Sequence, residues 1–139
     1  MRVLVTRPDT DGEALMDRLA EQGYDGLHEP LLLVNLLGGP DIDTDGVQAY
    51  LATSSNGVRA LFNRNPNMSI PLYAVGDATA NTARELGFAQ VHSAEGDVGA
   101  LAALAKDMLD PRNGALYHAA SSVQTGLLKE TLELSLIHI

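Results

Sequence analysis

The sequence predicts an α/β protein built on parallel sheet, with helices on both faces. Short apolar or β-branched runs alternate with helical periodicity along the whole chain. Two helical stretches close on the same Gly–aromatic pair, Gly23-Tyr24 and Gly87-Phe88. Clusters of Ser, Thr, Asp and Gly recur where a strand hands over to a helix. The strand–helix pairs outnumber what one small sheet holds. Two wound lobes are therefore expected, one of them partial.

Arg2–Thr6 is a short β-branched run, read as a buried strand ended by a Pro. Asp9, Thr10 and Asp11 offer N-caps to a helix carrying Ala14, Leu15, Leu19 and Ala20. Gly23 ends it as a left-handed residue. A second strand is expected over Glu29–Val34, which makes residues 1–34 a strand–helix–strand opening of the first lobe. Residues 38–46 are a loop by composition and the best internal boundary, and their three Asp read as a solvated acidic turn. The bidentate Glu of a calcium loop is missing. Residues 35–133 are then expected to form most of the second lobe.

In that lobe Val47–Thr53 is the next strand, and a helix opening at Gly57 is stopped by Pro66. Leu72–Val75 is a strand and Ala78–Leu86 a helix closed by Gly87. Gln90–Ser93 is a brief strand. Asp97–Leu109 has the clearest helical face, with Val98, Leu101, Leu104, Ala105 and Leu109. Ala115–Ala119 is the last strand and Thr125–Leu132 the last helix. The final six residues, Leu134–Ile139, break the pattern. They match one reading frame of a common transposon-based sequencing adapter, so 134–139 is expected to be translated adapter. His138 then has no value as a site residue.

Composition narrows the function. The chain has 139 residues, 45% hydrophobic, which is enough for a packed core. It carries 9 Lys+Arg against 18 Asp+Glu, a net charge of −9. That balance, with 4% aromatics and no Trp, argues against nucleic-acid or anionic-membrane partners. The absence of Cys excludes disulfides, thiolate metal sites and a Cys nucleophile, and fits a reducing cytoplasm. The apolar stretch after Met1 is too short for a secretion signal.

Four turns could carry chemistry. Thr53-Ser54-Ser55-Asn56-Gly57-Val58-Arg59 leaves a strand and opens a helix, where unpaired N–H groups can hold a carboxylate or phosphate. The plainer reading of the same residues is an ordinary N-cap. Ala74-Val75-Gly76-Asp77-Ala78-Thr79-Ala80 repeats the arrangement. Neither turn has a dinucleotide or Walker pattern, so a nucleotide binder is the weaker alternative. Ala94-Glu95-Gly96-Asp97-Val98 is a cap. Leu116-Tyr117-His118-Ala119-Ala120-Ser121-Ser122 ends a strand in small residues, and His118 there reads as structural. The four His show no metal-ligand spacing.

Taken in order, five segments resemble uroporphyrinogen-III synthase. They are Val3–Pro8, Pro30-Leu31-Leu32, Thr53–Ala60, Val75–Ala80 followed by Gly87-Phe88, and Leu116–Ala120. Ser121 stands where that family often has a Gly, and Thr125-Gly126-Leu127 replaces its usual turn. The resemblance implies a bilobal fold of which this chain is about the first half. It implies cyclisation of the linear tetrapyrrole hydroxymethylbilane to uroporphyrinogen III, with inversion of the last pyrrole and loss of water. No cofactor and no metal are implied, and a monomer is expected at full length. The substrate is a polycarboxylate, so on an acidic chain its binding must be local. The residues implied are Arg7, Thr53, Ser54, Asn56, Gly57, Gly76 and Thr79, with Arg59 and Arg84 as further cations. The family's candidate general acid, a Tyr, lies beyond Glu133, and no residue here takes its place. A non-enzymatic ligand-binding or regulatory module of the same fold is the alternative, and the fragment alone is expected to be inactive and poorly stable.

Overall fold

A computed structural model describes residues 1–120 and 128–133. The expectations for Ser121, Ser122, Thr125–Leu127 and the 134–139 tail lie outside the described residues. The chain divides into two compact units, Met1–Asn35 and Leu36–Ile139.

The first unit is β1 (Arg2–Val5), α1 (Asp9–Glu21) and β2 (Asp25–His28). β1 and β2 pair in parallel, with Leu4 opposite Leu27 and Val5 opposite His28. Two expectations are corrected here. The helix takes Pro8 as its N-cap, with no side-chain cap, so Asp9 and Asp11 lie in the first turn and act on the helix dipole instead. The second strand is Asp25–His28, not Glu29–Val34. Beyond His28 the ladder thins to bonds from Glu29 N–H to the Val5 carbonyl and from Leu31 N–H to the Thr6 carbonyl, because Pro30 has no N–H to give. The apolar run that suggested a strand is exposed, Leu31 at 76% and Leu33 at 80%. The strand instead starts straight after the turn at Gly23, which closes α1 with bonds from Gly23 N–H to Ala20 O and from Tyr24 N–H to Leu19 O.

The second unit runs β3 (Val47–Ala52), α2 (Ser55–Phe62), β4 (Leu72–Ala74), α3 (Asp77–Glu85), β5 (Val91–Ser93), α4 (Val98–Met108), a 3₁₀ turn (Pro111–Asn113), β6 (Ala115–Ala119) and α5 (Leu128–Glu133). Among the described residues its four strands are all parallel, in the order β5-β4-β3-β6. Period-2 alternation sends Tyr50, Ala52, Leu72 and Ala74 to one face, against Val58 and Leu61 of α2 and Ala80 and Ala83 of α3. Ala49, Leu51, Tyr73 and Leu116 go to the other, against Leu101, Ala102 and Ala105 of α4 and Leu128 and Leu132 of α5. This is the wound arrangement expected. α2 begins two residues before Gly57 and ends at Phe62, with Asn63 as C-cap, so Pro66 does not stop it. α3 closes like α1, with Gly87 at φ +97° and Phe88 N–H on the Ala83 carbonyl. Gly23, at φ +78°, fills the same left-handed role, which only glycine takes at little cost. Phe88 is buried and stacks edge-on against Tyr50, whereas Tyr24 stays 39% exposed.

Candidate functional site

The strand order reverses between β3 and β6. The chain builds outward through β4 and β5, then returns to the other side of β3. In wound sheets the crevice at the carboxyl ends of such strands is where ligands bind. Thr53, the turn into α2 and the end of β6 meet there.

Ser54 is the N-cap of α2, and its Oγ accepts from Gly57 N–H at 3.0 Å. The Asn56 Oδ1 accepts from Arg59 Nη1 at 2.7 Å. The Thr82 Oγ1 of α3 lies 3.0 Å from Ser55 Oγ, which ties the start of α2 to the second turn of α3. Gly57 is buried because α2 crosses the end of β6. A Cβ on Gly57 would lie 2.7 Å from the Ala119 carbonyl oxygen. The α2 turn is thus largely self-satisfied, which is what an ordinary cap does.

The α3 turn differs. Gly76 is its N-cap at φ −161°, ψ 177°, extended backbone that any residue adopts, and no side chain caps the helix. The nearest atom to a Cβ built on Gly76 is the Gly96 carbonyl oxygen at 3.9 Å, ordinary contact. Neither backbone conformation nor crowding demands glycine there. What glycine does is leave the first-turn N–H groups of α3 without a side-chain cap, with Asp77 as the acidic residue of that turn. Thr79 is 5% exposed, so its side chain belongs to the interior.

His118 of β6 lies 65 residues beyond Thr53, yet its Nε2 is 3.5 Å from Thr53 Oγ1, the long limit of a hydrogen bond. Burial pushes its imidazole below the ordinary value, so it favours the neutral form. Burial also raises the phenols of Tyr50 and Tyr73. Arg84 donates to Asn81 Oδ1 at 2.8 Å and to the Val91 carbonyl at 3.3 Å, which makes it a helix-to-strand tie. Arg7 lies in the first unit, exposed after β1, and its carbonyl accepts from His28 Nε2 at 3.0 Å.

The structure thus brings Thr53, Ser54, Asn56 and Gly57 together at the β3–β6 crevice, with Gly76 and Thr79 one strand away at the end of β4. The sequence reading missed the Thr53–His118 approach and the Ser55–Thr82 tie. A signal for both would be the strand order, which sets β6 beside β3 and is not a local property. Among the described residues no cluster of His, Asp and Glu is placed to hold a metal. No described helix is long and apolar enough to cross a membrane. The arrangement can bind a carboxylate through backbone N–H groups, and it shows no nucleophile–base pair with an orienting third group among the described residues.

A profile of the family described as uroporphyrinogen-III synthase HemD matches residues 13–138. A crystal structure of wild-type uroporphyrinogen III synthase from the extremely thermophilic bacterium Thermus thermophilus is similar at 20% identity and TM-score 0.53, covering 100% of this chain and 58% of that one. A selenomethionine mutant of the same enzyme is similar at 18% identity and TM-score 0.53, with 59% of its chain covered. These likenesses are of fold, and the chain spans less than two thirds of those structures. A search of curated proteins returns no match.

Proposed function

The chain belongs to the uroporphyrinogen-III synthase family, and from that premise we propose that it is a part of a cytoplasmic cyclase acting on hydroxymethylbilane. The reaction is ring closure to uroporphyrinogen III with inversion of the last pyrrole and loss of water, without metal or cofactor, by a protein monomeric at full length. The observation that carries the reading is the uncapped, glycine-led start of α3 at a parallel strand's carboxyl end, beside the crevice where the strand order reverses.

The chemistry follows from charge. The substrate's side chains are carboxylates, and a net charge of −9 opposes them at long range. Backbone N–H groups at Gly76–Thr79 offer short-range donors that need no Lys or Arg. Around Thr53–Gly57 the Ser54 Oγ and Asn56 Oδ1 already accept bonds from Gly57 N–H and Arg59, and the donors offered to substrate there are the Thr53 and Ser54 hydroxyls, the Asn56 side-chain NH2 and the first N–H groups of α2. Holding several carboxylates fixes the chain of pyrroles so that its ends meet, which is catalysis by orientation. Departure of the hydroxymethyl oxygen as water needs a proton donor. None of the described residues is assigned to it, so this chain alone is expected to bind without cyclising. That expectation, with 58% coverage of the solved relative, is what favours the second reading, a binding module of the same fold.

Product analysis separates the readings. Hydroxymethylbilane closes spontaneously to the type I isomer, and the synthase gives type III. The chain as it stands should leave only type I. The protein encoded by the parental gene, read past the codon for Glu133, should give type III. Type III from the 139-residue chain at full rate overturns the fragment reading. Type I alone from the longer protein overturns the synthase reading and leaves the binding module.

A further inference from the structure

The sequence holds two Asn–Gly pairs, Asn56-Gly57 and Asn113-Gly114. In such a pair the glycine nitrogen can attack the asparagine side-chain amide carbon, because glycine has no Cβ to shield its approach. The structure sets the two pairs in opposite surroundings. Gly57 is buried in the first turn of α2, its N–H is held by Ser54 Oγ at 3.0 Å, and the Asn56 amide is held by Arg59. Asn113 is exposed and is the last residue of the 3₁₀ turn. That turn is closed by Asn113 N–H on the Asp110 carbonyl at 3.0 Å, so the helical bonding stops before Gly114.

We propose that Asn113 is a site of spontaneous deamidation, and that Asn56 is protected from it by the fold. The Gly114 nitrogen forms a bond to Asn113 Cγ and gives up its proton. The side-chain nitrogen leaves as ammonia and a succinimide ring remains. Water then opens the ring. Attack at the Cγ carbonyl gives aspartate, and attack at the main-chain carbonyl gives isoaspartate, in which the backbone runs through Cβ.

The position gives the isoaspartyl form a structural consequence. It lengthens the main chain by one methylene just before Gly114, which sits at φ +133° hard against the Gly46 carbonyl. The following Ala115 N–H donates to Gly46 O at 2.9 Å, and Gln48 Nε2 donates to the carbonyls of Asp110 and Gly114. These bonds seat the start of β6 against the start of β3, where the register already shifts between Val47 and Ala49. Displacing Gly114 loosens the strand pair that forms the crevice.

The test is incubation of the purified chain in warm, mildly alkaline buffer, followed by peptide mapping, with a parallel sample in denaturant. Deamidation adds about one mass unit, and a methyltransferase specific for isoaspartate marks the rearranged product. In native buffer the Asn113 peptide should convert at least about tenfold faster than the Asn56 peptide, a barrier difference of about 1.4 kcal/mol. In denaturant the two rates should converge. The isoaspartyl fraction, separated by anion exchange, should melt below the parent, while Asn113→Asp, which keeps the normal backbone, should melt with it. Equal conversion at both sites in native buffer, or faster conversion at Asn56, overturns the proposal.

Discussion

Gly57 and Ala119 are in contact where α2 crosses the end of β6: a Cβ on Gly57 would stand 2.7 Å from the Ala119 carbonyl oxygen. The obstacle is backbone, at the end of a strand paired with the central β3, and cannot swing aside as a long side chain would. Gly57→Ala must therefore push α2 away from β6. The expected loss is about 1–3 kcal/mol, the usual range for overpacking. Urea unfolding measures it, and a midpoint equal to that of the parent would show that the helix start moves freely.

Gly76 is the matched contrast. It too stands where a strand hands over to a helix, as the N-cap of α3 where Gly57 lies in the first turn of α2, but it has no crowding and no unusual φ. Gly76→Asp supplies the side-chain cap that α3 lacks and should raise stability by a few tenths of a kcal/mol. The same carboxylate covers the first-turn N–H groups and repels a carboxylate ligand. Tetrapyrrole binding should fall while the melting temperature holds or rises. Loss of both together would make Gly76 a folding residue and remove the main support for the ligand reading.

That contrast shows what was legible in the sequence. Both glycines stand in similar local strings, and both suggest a ligand turn. Their difference arises only when β6 inserts beside β3, which brings the Ala119 carbonyl to Gly57, whereas Gly76 has only an ordinary contact with the Gly96 carbonyl. The strands of the second unit were readable because Tyr50, Leu51, Leu72 and Leu116 are apolar runs buried on both sheet faces. β2 was not, since Asp25-Gly26-Leu27-His28 has a weak strand pattern. What makes it a strand is pairing with β1, and Gly26 leaving room for the Met16 side chain of α1. The neighbouring Leu31–Val34 run carries the stronger local signal and no partner strand.

His118 gives a pH dependence with a defined sign. Burial lowers its folded value below the ordinary 6.5, so the unfolded chain takes up the proton first as pH falls. Stability is therefore full above about pH 6.5. It declines as pH drops from there toward the lower folded value, where the loss levels off. Carboxylates add their own dependence at lower pH, so the comparison is with His118→Gln. Between about pH 7 and 5.5 the parent's unfolding midpoint should fall more steeply than the variant's. Parallel slopes would mean that the imbalance of proton uptake is absent.

The first unit should be the least protected part of the chain. It has two strands and one helix, and Val5 is its only buried large apolar side chain. Leu4 and Leu27, opposite one another across the strands, remain 60% and 43% exposed. A two-stranded sheet with an open apolar face is marginal in water. The second unit instead buries Tyr50, Leu51 and Ala52 completely in a four-stranded sheet. Amide hydrogens of Val3–Val5 and Leu27–His28 should thus exchange about a hundredfold faster than those of Tyr50–Ala52. Comparable protection would require something to cover Leu4 and Leu27. If the cover is a second copy of the chain, the protection will fall on dilution. If protection stays equal at every concentration, the first unit is stable by itself and the expectation of a weak fragment fails.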